Sequence, residues 1–327
     1  MRSALVLVVF LLSALTPAAH AQAGPPPSDA PRFELRGLVE NVVGATARRY
    51  SVRDSLGRSM DTAKVIQDRT GAYLAVYHTL LPDGRFHAAV ATSANLLDWT
   101  HRADFGAGTH QPTIRELPND AYLVAWEQDP ANHIALQYFA TRADLLAARP
   151  FRTFHAPRRL STCAEGTPNI YAVQLSPDID HSTIDLGGHY YANCQVDRQL
   201  RATLTNFRTW TTAPQPKVDD AMLHWGVRGN IGDRDNLTFR GFPYTFFEGQ
   251  YTPGDFGSWR PFLFDQSTGN ADRVTIRTNG GSQAFANPAA TVLRAPDGRQ
   301  AVFVSLFIPS ENSAPGEAGQ LMYYRTF

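Results

Sequence analysis

The amino-acid sequence predicts an all-β fold, a single five-bladed β-propeller of four-stranded antiparallel blades whose ring is closed by the N-terminal segment. Apolar and aromatic residues gather in short runs separated by Gly, Pro, Asn and Asp, as in strands joined by tight turns. Segments with helical spacing are short, the best candidates being residues 95–98 and 143–148. Similar units recur five times along the chain, at a period typical of one blade.

The chain begins with the features of a secretory signal peptide. Arg2 precedes an apolar run over residues 4–15, and the small-residue triad at residues 19–21 marks the expected cleavage site. An uncleaved anchor is the alternative, but the run is short for a bilayer span. We therefore expect residues 1–21 to be removed, residues 22–32 to form a disordered leader, and the protein to be secreted or periplasmic without a membrane span.

The charge balance limits the range of partners. The 327 residues include 30 Lys and Arg and 30 Asp and Glu, so the formal net charge is zero. A neutral chain argues against nucleic acid or an anionic membrane as the main partner. We expect one domain over residues 33–327 and a monomer.

Each repeat unit starts with a polar residue, continues into an apolar strand and returns through a second strand after a turn. The third strands of three units end in similar segments, residues 92–99, 141–145 and 203–210, two of which close on tryptophan. Successive units start 50, 54, 68 and 54 residues apart. The five predicted starts of inner strands are Asp61, Gln111, Glu165, Asp233 and Asn287.

The fifth blade requires a strand from elsewhere in the chain. Residues 321–326 resemble residues 136–141, which end a third strand, so the chain stops before a fourth strand can form. An unpaired strand edge is a liability that closure of the ring removes. We therefore predict that residues 33–39 form the outer strand of this blade.

The inner strands of a propeller start at one face, so their first residues converge on a central cavity. Each second strand returns to that face and brings His78, Glu127 and Glu248 toward the rim. Two carboxyl groups facing each other across such a cavity are the minimum for glycoside hydrolysis. The alternative for each residue taken alone is a solvated turn acid or a strand cap.

The repeat units, the tryptophan segments and the stretch Glu165-Gly166-Thr167-Pro168 resemble the five-bladed glycosidases of the arabinanase and β-xylosidase type (glycoside hydrolase family 43 and relatives), over most of residues 55–327. The resemblance implies an inverting mechanism with an Asp base in blade one, a helper Asp in blade two and a Glu acid in blade three. Asp61 and Glu165 match the base and the acid.

Two features depart from that pattern. The base normally precedes Pro, whereas Thr62 follows Asp61. Residues 111–113 carry no carboxylate at the helper position, for which Asp233 and Glu127 are the available substitutes.

We expect Asp61 as general base and Glu165 as general acid, facing each other at about 6.5–9.5 Å. Trp126, Trp225 and Tyr244 are candidates for stacking on sugar rings, with burial between blades as the alternative. The predicted substrate contacts are His78, Gln111, Trp126, Glu127, Asp233, Arg234, Glu248 and Asn287.

Two other functions remain open. One is a propeller that binds polysaccharide without cleaving it. The other is an enzyme of another class, such as a lyase or a lactonase, marked by a metal or a His base in the cavity. No metal or other cofactor is expected, because the His residues lack ligand spacing, and His110, His189 and His224 are interpreted as hydrogen-bonded supports. A central ion held by backbone groups and water is the alternative.

Cys163 and Cys194 are the only cysteines. Export favours a disulfide between them. Cys163 precedes the inner strand of the third unit and Cys194 ends the neighbouring strand, which is compatible with a bridge. Two buried free thiols are the alternative.

Overall fold

The computed structural model describes residues 26–327 as five four-stranded antiparallel sheets, one for each blade. The predicted five-bladed β-propeller is therefore confirmed. The predicted signal peptide, residues 1–21, lies outside the described residues and stays a prediction.

Helix α1 (Asp29–Glu40) and strand β1 (Ala47–Arg49) precede the first blade. Blade 1 contains strands β2 to β5, which are Asp61–Gln67, Tyr73–Leu80, Phe86–Ser93 and Thr100–Ala107. Blade 2 contains β6 to β9, which are Thr109–Glu116, Tyr122–Gln128, His133–Phe139 and Arg152–His155, with helix α2 (Arg142–Leu146) before the last strand. Blade 3 contains β10 to β13, which are Glu165–Gln174, Thr183–Ala192, Val196–Thr205 and Thr209–Pro214. Helix α3 (Pro216–His224) leads to blade 4, in which β14 to β17 are Arg234–Phe239, Phe242–Gln250, Trp259–Asp265 and Ala271–Arg273. Blade 5 combines β18 to β20, which are Ala286–Arg294, Gln300–Ile308 and Gly319–Thr326, with β1.

The N-terminal segment closes the ring, but through a different strand from the predicted one. Strand β1 pairs antiparallel with β20, so that Arg48 lies opposite Tyr323. Residues 33–39 lie inside α1, so their prediction as the outer strand is wrong. The predicted disordered leader, residues 22–32, is wrong from Asp29 onward, because α1 begins there.

The helical state of α1 follows from its apolar spacing. Leu35, Leu38 and Val39 fall at positions i, i+3 and i+4, which form one stripe of a helix. This stripe is buried in a cluster that contains Tyr244 of blade 4 and Tyr323 of blade 5. Helix α1 therefore covers the apolar layer between the last two blades.

Helix α3 explains the long step between the third and fourth inner strands. Pro216 lies at its first position, where the missing N–H is not needed. Met222 is buried beside Phe247 of blade 4. The Asp219 carboxylate accepts a hydrogen bond of 3.0 Å from the backbone N–H of Gln199 in blade 3. The helix thus packs against both blades.

The hydrophobic core lies in layers between neighbouring blades. Leu136 of blade 2 packs in one cluster with Leu186 of blade 3. The centre of the ring is polar instead: Lys64 Nζ of blade 1 donates to Asp233 Oδ1 of blade 4 at 2.9 Å. This buried ion pair holds blades that are not neighbours in the ring.

The predicted disulfide is confirmed. Cys163 and Cys194 are bonded, with a Cα–Cα distance of 5.6 Å. The bridge joins the loop before β10 to the turn between β11 and β12. None of the helices within residues 26–327 has the length and apolar character needed to cross a membrane.

Candidate active site

The inner strands of four blades share a bulge near their first residues. Pairing with the second strand is interrupted there, and one residue adopts a left-handed backbone conformation. The four left-handed residues are Thr62 (φ 58°), Gln111 (φ 53°), Thr167 (φ 45°) and Asn287 (φ 49°).

The backbone N–H of each left-handed residue donates to a side chain of the preceding blade in the ring. These inter-blade hydrogen bonds tie each pair of blades together at the cavity. They join Gln111 N to His78 Nδ1 (2.9 Å), Thr167 N to Glu127 Oε2 (3.1 Å), Asn287 N to Glu248 Oε2 (2.5 Å) and Thr62 N to Gln320 Oε1 (3.1 Å).

The second strands place one side chain each at equivalent positions around the cavity. In strand register, the opposed pairs are Asp61–His78, His110–Glu127, Gly166–His189 and Ala286–Phe307. Glu248 takes this position in blade 4, against Gly232. We call the set the second-strand ring; its members are His78, Glu127, His189, Glu248 and Phe307.

The second-strand ring and three of the predicted inner-strand starts, Asp61, Gln111 and Asn287, line one cavity of about 560 Å³. Six predicted site residues line it: Asp61, His78, Gln111, Glu127, Glu248 and Asn287. Sequence reasoning missed further polar lining residues, which are Asn132, Tyr191, Asp197 and Asn230, and it treated His110 and His189 only as supports. The cavity lining therefore includes four carboxyl groups, while no Lys or Arg belongs to it within the part of the chain that the structure describes.

Glu165 does not line the cavity, which corrects the prediction that it faces Asp61 across it. The residue is 2% exposed, and its Oε1 accepts hydrogen bonds from the backbone N–H groups of residues 159–161. In register, Gly166 rather than Glu165 is equivalent to Asp61. Neighbouring residues of a strand point to opposite faces, so the Glu165 side chain points away from the face that Gly166 presents to the cavity. There it anchors the loop of residues 159–161.

Asp233 and Arg234 are also buried outside the cavity lining, contrary to their prediction as substrate contacts. Asp233 is the partner of Lys64 in the central ion pair. Arg234 is 0% exposed and donates to backbone carbonyl groups of Thr167 and Gly232. Both side chains therefore hold blades together.

The aromatic lining differs from the predicted one. Trp126 is buried and stacks on Phe105, with 5.5 Å between ring centroids, so it is not available to a sugar. Tyr244 is buried as well, and Trp225 is exposed but lies outside the cavity lining. The aromatic residues that do line the cavity are Phe86, Tyr191, Phe256, Trp259 and Phe307.

Asp61 keeps one carboxylate oxygen free for a ligand. Its Oδ2 accepts a hydrogen bond of 3.0 Å from the Ser59 hydroxyl, and its Oδ1 has no partner among the described residues. Burial raises the pKa of Asp61, although the Ser59 hydrogen bond and the charge of Arg53 act in the opposite direction. Asp61 is therefore a partly desolvated carboxyl group at the cavity surface.

Asp197, near the start of β12, is a second carboxyl group with free oxygens. Within residues 26–327 neither oxygen accepts a hydrogen bond, and His189 Nε2 lies 3.6 Å from Oδ1. Burial raises the pKa of Asp197; His189 acts against this shift, and the Glu127 carboxylate reinforces it. His189 Nε2 is also 4.0 Å from Glu127 Oε2, so the imidazole lies between two carboxyl groups.

Both oxygens of Glu127 are already hydrogen-bonded. Asn132 Nδ2 donates to Oε1 at 2.6 Å, and Thr167 N donates to Oε2. Burial alone would raise the pKa of Glu127, but His189, His110 and these hydrogen bonds lower it on balance. Glu127 is therefore a fixed anion.

Glu248 is held in a similar way but titrates differently. Asp233 N donates to Oε1 at 2.9 Å, and Asn287 N donates to Oε2. Burial, followed by the negative charge of Asp233, raises the pKa of Glu248 to about 7. The residue is therefore partly protonated at neutral pH.

The amides of the lining add hydrogen-bonding groups to the site. Gln111 Nε2 lies 3.5 Å from Asn287 Oδ1, so amides from blades 2 and 5 meet across the cavity. Across residues 26–327, no group of three or more His, Cys, Asp or Glu side chains is arranged to hold a metal ion. The polar groups of the lining are mainly carboxyl, imidazole and amide groups.

No protein-family model matches the chain, and no curated protein matches it. Solved structures match it in fold. A thermostable family-43 glycoside hydrolase has a TM-score of 0.56 and 15% identity, covering 84% of this chain and 92% of its own. The chain has the fold of the glycoside hydrolase propellers. A protein described as a glycoside hydrolase has a TM-score of 0.59 and 10% identity over 91% and 95% of the two chains. An exo-1,5-α-L-arabinanase from a bovine ruminal metagenomic library has a TM-score of 0.52 and 12% identity over 84% and 95%.

Proposed function

We propose that the protein is an exported glycoside hydrolase whose cavity cleaves glycosidic bonds with Asp61 and Asp197. The observation that carries the proposal is that these two cavity carboxyl groups have free oxygens and pKa values raised by burial. An acid or base catalyst needs an atom within hydrogen-bond reach of the reacting proton. Asp61 and Asp197 offer such atoms, whereas Glu165 is turned away from the cavity.

The hydrogen bonds around Glu127 and Glu248 favour other roles for these residues. All four carboxylate oxygens accept N–H groups that fix the neighbouring chain segments. Each of these bonds occupies a lone pair of a carboxylate oxygen and holds the group in place, so these residues have fewer free acceptor sites than Asp61 and Asp197. We therefore assign Glu127 as the helper: its charge raises the pKa of Asp197, as the resemblance requires of blade 2.

The proposed reaction uses the two carboxyl groups in opposite protonation states. Asp61, which hydrogen-bonds Ser59, acts as the ionised base that activates a water molecule. Asp197 is protonated and donates its proton to the leaving oxygen, and the nearby Glu127 carboxylate favours that protonated state. Water attacks from the opposite face of the sugar, so the anomeric configuration is inverted.

The aromatic lining supports a carbohydrate as the ligand. Phe256, which is 58% exposed, and Trp259 both line the cavity. Sugar rings present C–H faces that pack on aromatic rings, while their hydroxyl groups hydrogen-bond to carboxylates and amides. The printed names of the solved structures with this fold, a family-43 hydrolase and an arabinanase, agree with that ligand class. The disulfide supports export, because such bonds persist in oxidising compartments.

A glycan-binding propeller without catalysis is the second candidate. The observation in its favour is that the residue matched to the acid, Glu165, is committed to a loop. In this alternative, Asp61 and Asp197 accept hydrogen bonds from sugar hydroxyl groups, and no bond is broken.

The test is a screen of the purified protein on arabinan, xylan, fructan and galactan, with the anomeric form of the products followed by NMR. Asp61→Asn and Asp197→Asn should each lower kcat by about 10²–10⁴-fold while binding is kept. Asp185→Asn is the matched control: Asp185 is a surface carboxylate of blade 3 paired with Arg201, and its replacement should change neither kcat nor glycan binding. Cleavage that survives Asp197→Asn would remove this residue as the acid. Binding without cleavage of any of the glycans would favour the second candidate.

A further inference from the structure

The His78 imidazole is held in one tautomer by an inter-blade hydrogen bond. The backbone N–H of Gln111 donates to Nδ1 at 2.9 Å. A nitrogen that accepts a hydrogen bond carries no proton, so the neutral ring carries its proton on Nε2. The orientation of the ring is fixed further by Phe86, whose centroid is 4.5 Å away.

The protonated nitrogen is free for a ligand. His78 lines the cavity, and its Nε2 has no hydrogen-bond partner among the described residues. In strand register, His78 lies directly opposite Asp61. A donor is therefore presented beside the carboxyl group that we assign as the base.

The equivalent members of the second-strand ring behave differently. Glu127 and Glu248 accept the same type of inter-blade hydrogen bond through carboxylate oxygens. When ionised, these residues present only acceptors to the cavity. His78 accepts the backbone N–H and still presents a donor.

The ring remains uncharged over a wide pH range. Burial, followed by the charge of His110, lowers the pKa of His78 to about 3. The titratable groups that face it are Asp61 on the paired strand and His110 of the next blade, which lies 3.3 Å from Asp129. The Nε2–H group is therefore a neutral donor under the conditions in which a secreted protein works.

We propose that His78 is a binding and positioning residue whose Nε2–H donates to a neutral oxygen, a hydroxyl or ring oxygen, of the sugar unit held beside Asp61. This inference rests on the proposed function, because the ligand that His78 contacts is the glycan of that proposal. The group orients that sugar unit toward Asp61. Its role is hydrogen bonding and does not include proton transfer.

Two substitutions of His78 separate its proposed role in binding the sugar from its structural role in accepting the Gln111 N–H. His78→Gln and His78→Glu can both accept the Gln111 N–H, because Glu127 and Glu248 reach the equivalent N–H from the same position. Only Gln keeps a donor for the cavity. Each is placed in the Asp197→Asn background, so that xylotriose and arabinotriose bind without being cleaved, and affinities are measured by calorimetry. His78→Glu should bind about tenfold or more weakly than His78→Gln, with thermal unfolding confirming that both variants fold.

Nitrogen NMR of the Asp197→Asn protein, in which His78 is intact and the trisaccharide is not cleaved, supplies a test that does not depend on the His78 variants. The expected result is the Nε2-protonated tautomer from about pH 4.5 to 8, with the Nε2 resonance shifting when a trisaccharide binds. Three results would overturn the inference and leave the proposed function standing. They are an Nδ1-protonated ring, binding of a trisaccharide without a shift at Nε2, and equal affinities of the two His78 variants. Failure of these two trisaccharides, and of the trisaccharides from fructan and galactan, to bind would overturn the proposed function together with it.

Discussion

The carboxylate of Glu127 occupies the space that a side chain at Gly166 would need. A Cβ built on Gly166 would lie 1.8 Å from Glu127 Oε2, far inside any allowed contact. The same oxygen accepts the N–H of Thr167, so it cannot move without breaking an inter-blade hydrogen bond. The glycine of the predicted motif is thus required by an acid in the neighbouring blade.

Gly166→Ala should destabilise the protein by about 2–4 kcal/mol, because it displaces a buried carboxylate from its hydrogen bonds. Gly37→Ala is the matched control: it lies inside α1 with no atom near its would-be Cβ, and it should stabilise the protein by about 0.5–1 kcal/mol. Urea unfolding measures both. Equal effects of the two changes would show that Glu127 moves aside at little cost.

Glu165→Ala should lower stability and leave the chemistry intact. The change removes the acceptor for the N–H groups of residues 159–161, at a cost of about 1–3 kcal/mol. The melting temperature should fall, whereas kcat, measured well below that temperature, should stay within about twofold of the original. A loss of kcat similar to that of Asp197→Asn would return the acid role to Glu165.

The architecture could be predicted from the sequence because the starts of the inner strands recur along the chain. The predicted starts at Asp61 and Glu165 agree with β2 and β10, and those at Gln111, Asp233 and Asn287 lie within two residues of the observed ones. The strand predicted at residues 33–39 failed because it was inferred from the need to close the ring. The helical spacing of Leu35, Leu38 and Val39 was the signal that should have prevented it.

Only part of the candidate site could be predicted from the sequence. Asp61, His78 and Glu127 were found because inner strands start, and second strands end, at the same face of a propeller, where the cavity lies. The orientation of Glu165 depends on the bulge at Thr167, which shifts the register by an amount that no local motif encodes. Asp197 was missed because it lies in a third strand, where the repeat gave no reason to expect a cavity residue.

Loss of the disulfide should lower stability through the unfolded state. Cys163 and Cys194 are separated by 31 residues, so the double change to Ser should cost about 3–4 kcal/mol in the chain-entropy model. Urea unfolding of the double variant, compared with the oxidised protein, measures the difference. Unchanged stability would mean that the bridge adds no constraint beyond the strand pairing of blade 3.

The pH dependence of stability should report the buried His78. The pKa of His78 is about 3 in the folded protein, whereas an unperturbed histidine, as in the unfolded chain, has a pKa of 6.5. Between these two pH values the unfolded chain therefore binds more protons than the folded protein. The free energy of unfolding should therefore fall as the pH decreases from 6.5 toward 3, by up to about 1.4 kcal/mol per pH unit. His78→Gln should remove this slope, whereas His181→Gln, an exposed control, should keep it. Parallel curves for the native protein and His78→Gln would contradict the burial of a neutral imidazole.

The charge of the cavity should make it discriminate against uronic acids. Asp61, Glu127, Asp197 and Glu248 line it, and its lining among residues 26–327 lacks Lys and Arg. Lys64 and Arg234 are buried outside the lining, where Asp233 neutralises Lys64. A uronate would place its carboxylate near Glu127, the proposed ionised base Asp61 and the partly ionised Glu248, which costs affinity.

Galactotriose and trigalacturonate form a suitable pair of probes, because they share ring type and length and differ in charge. In the Asp197→Asn background the neutral trisaccharide should bind about tenfold or more tightly, and added salt should narrow the ratio, since screening weakens repulsion at the open mouth of the cavity. Glu248→Gln in that background removes a further cavity carboxyl group and should also narrow the ratio, while Asp185→Asn, outside the cavity, should leave it unchanged. Equal binding of the two trisaccharides at low salt would mean that the cavity carboxyl groups are neutralised when a ligand is bound, and the proposed ionised base at Asp61 would then be wrong as well.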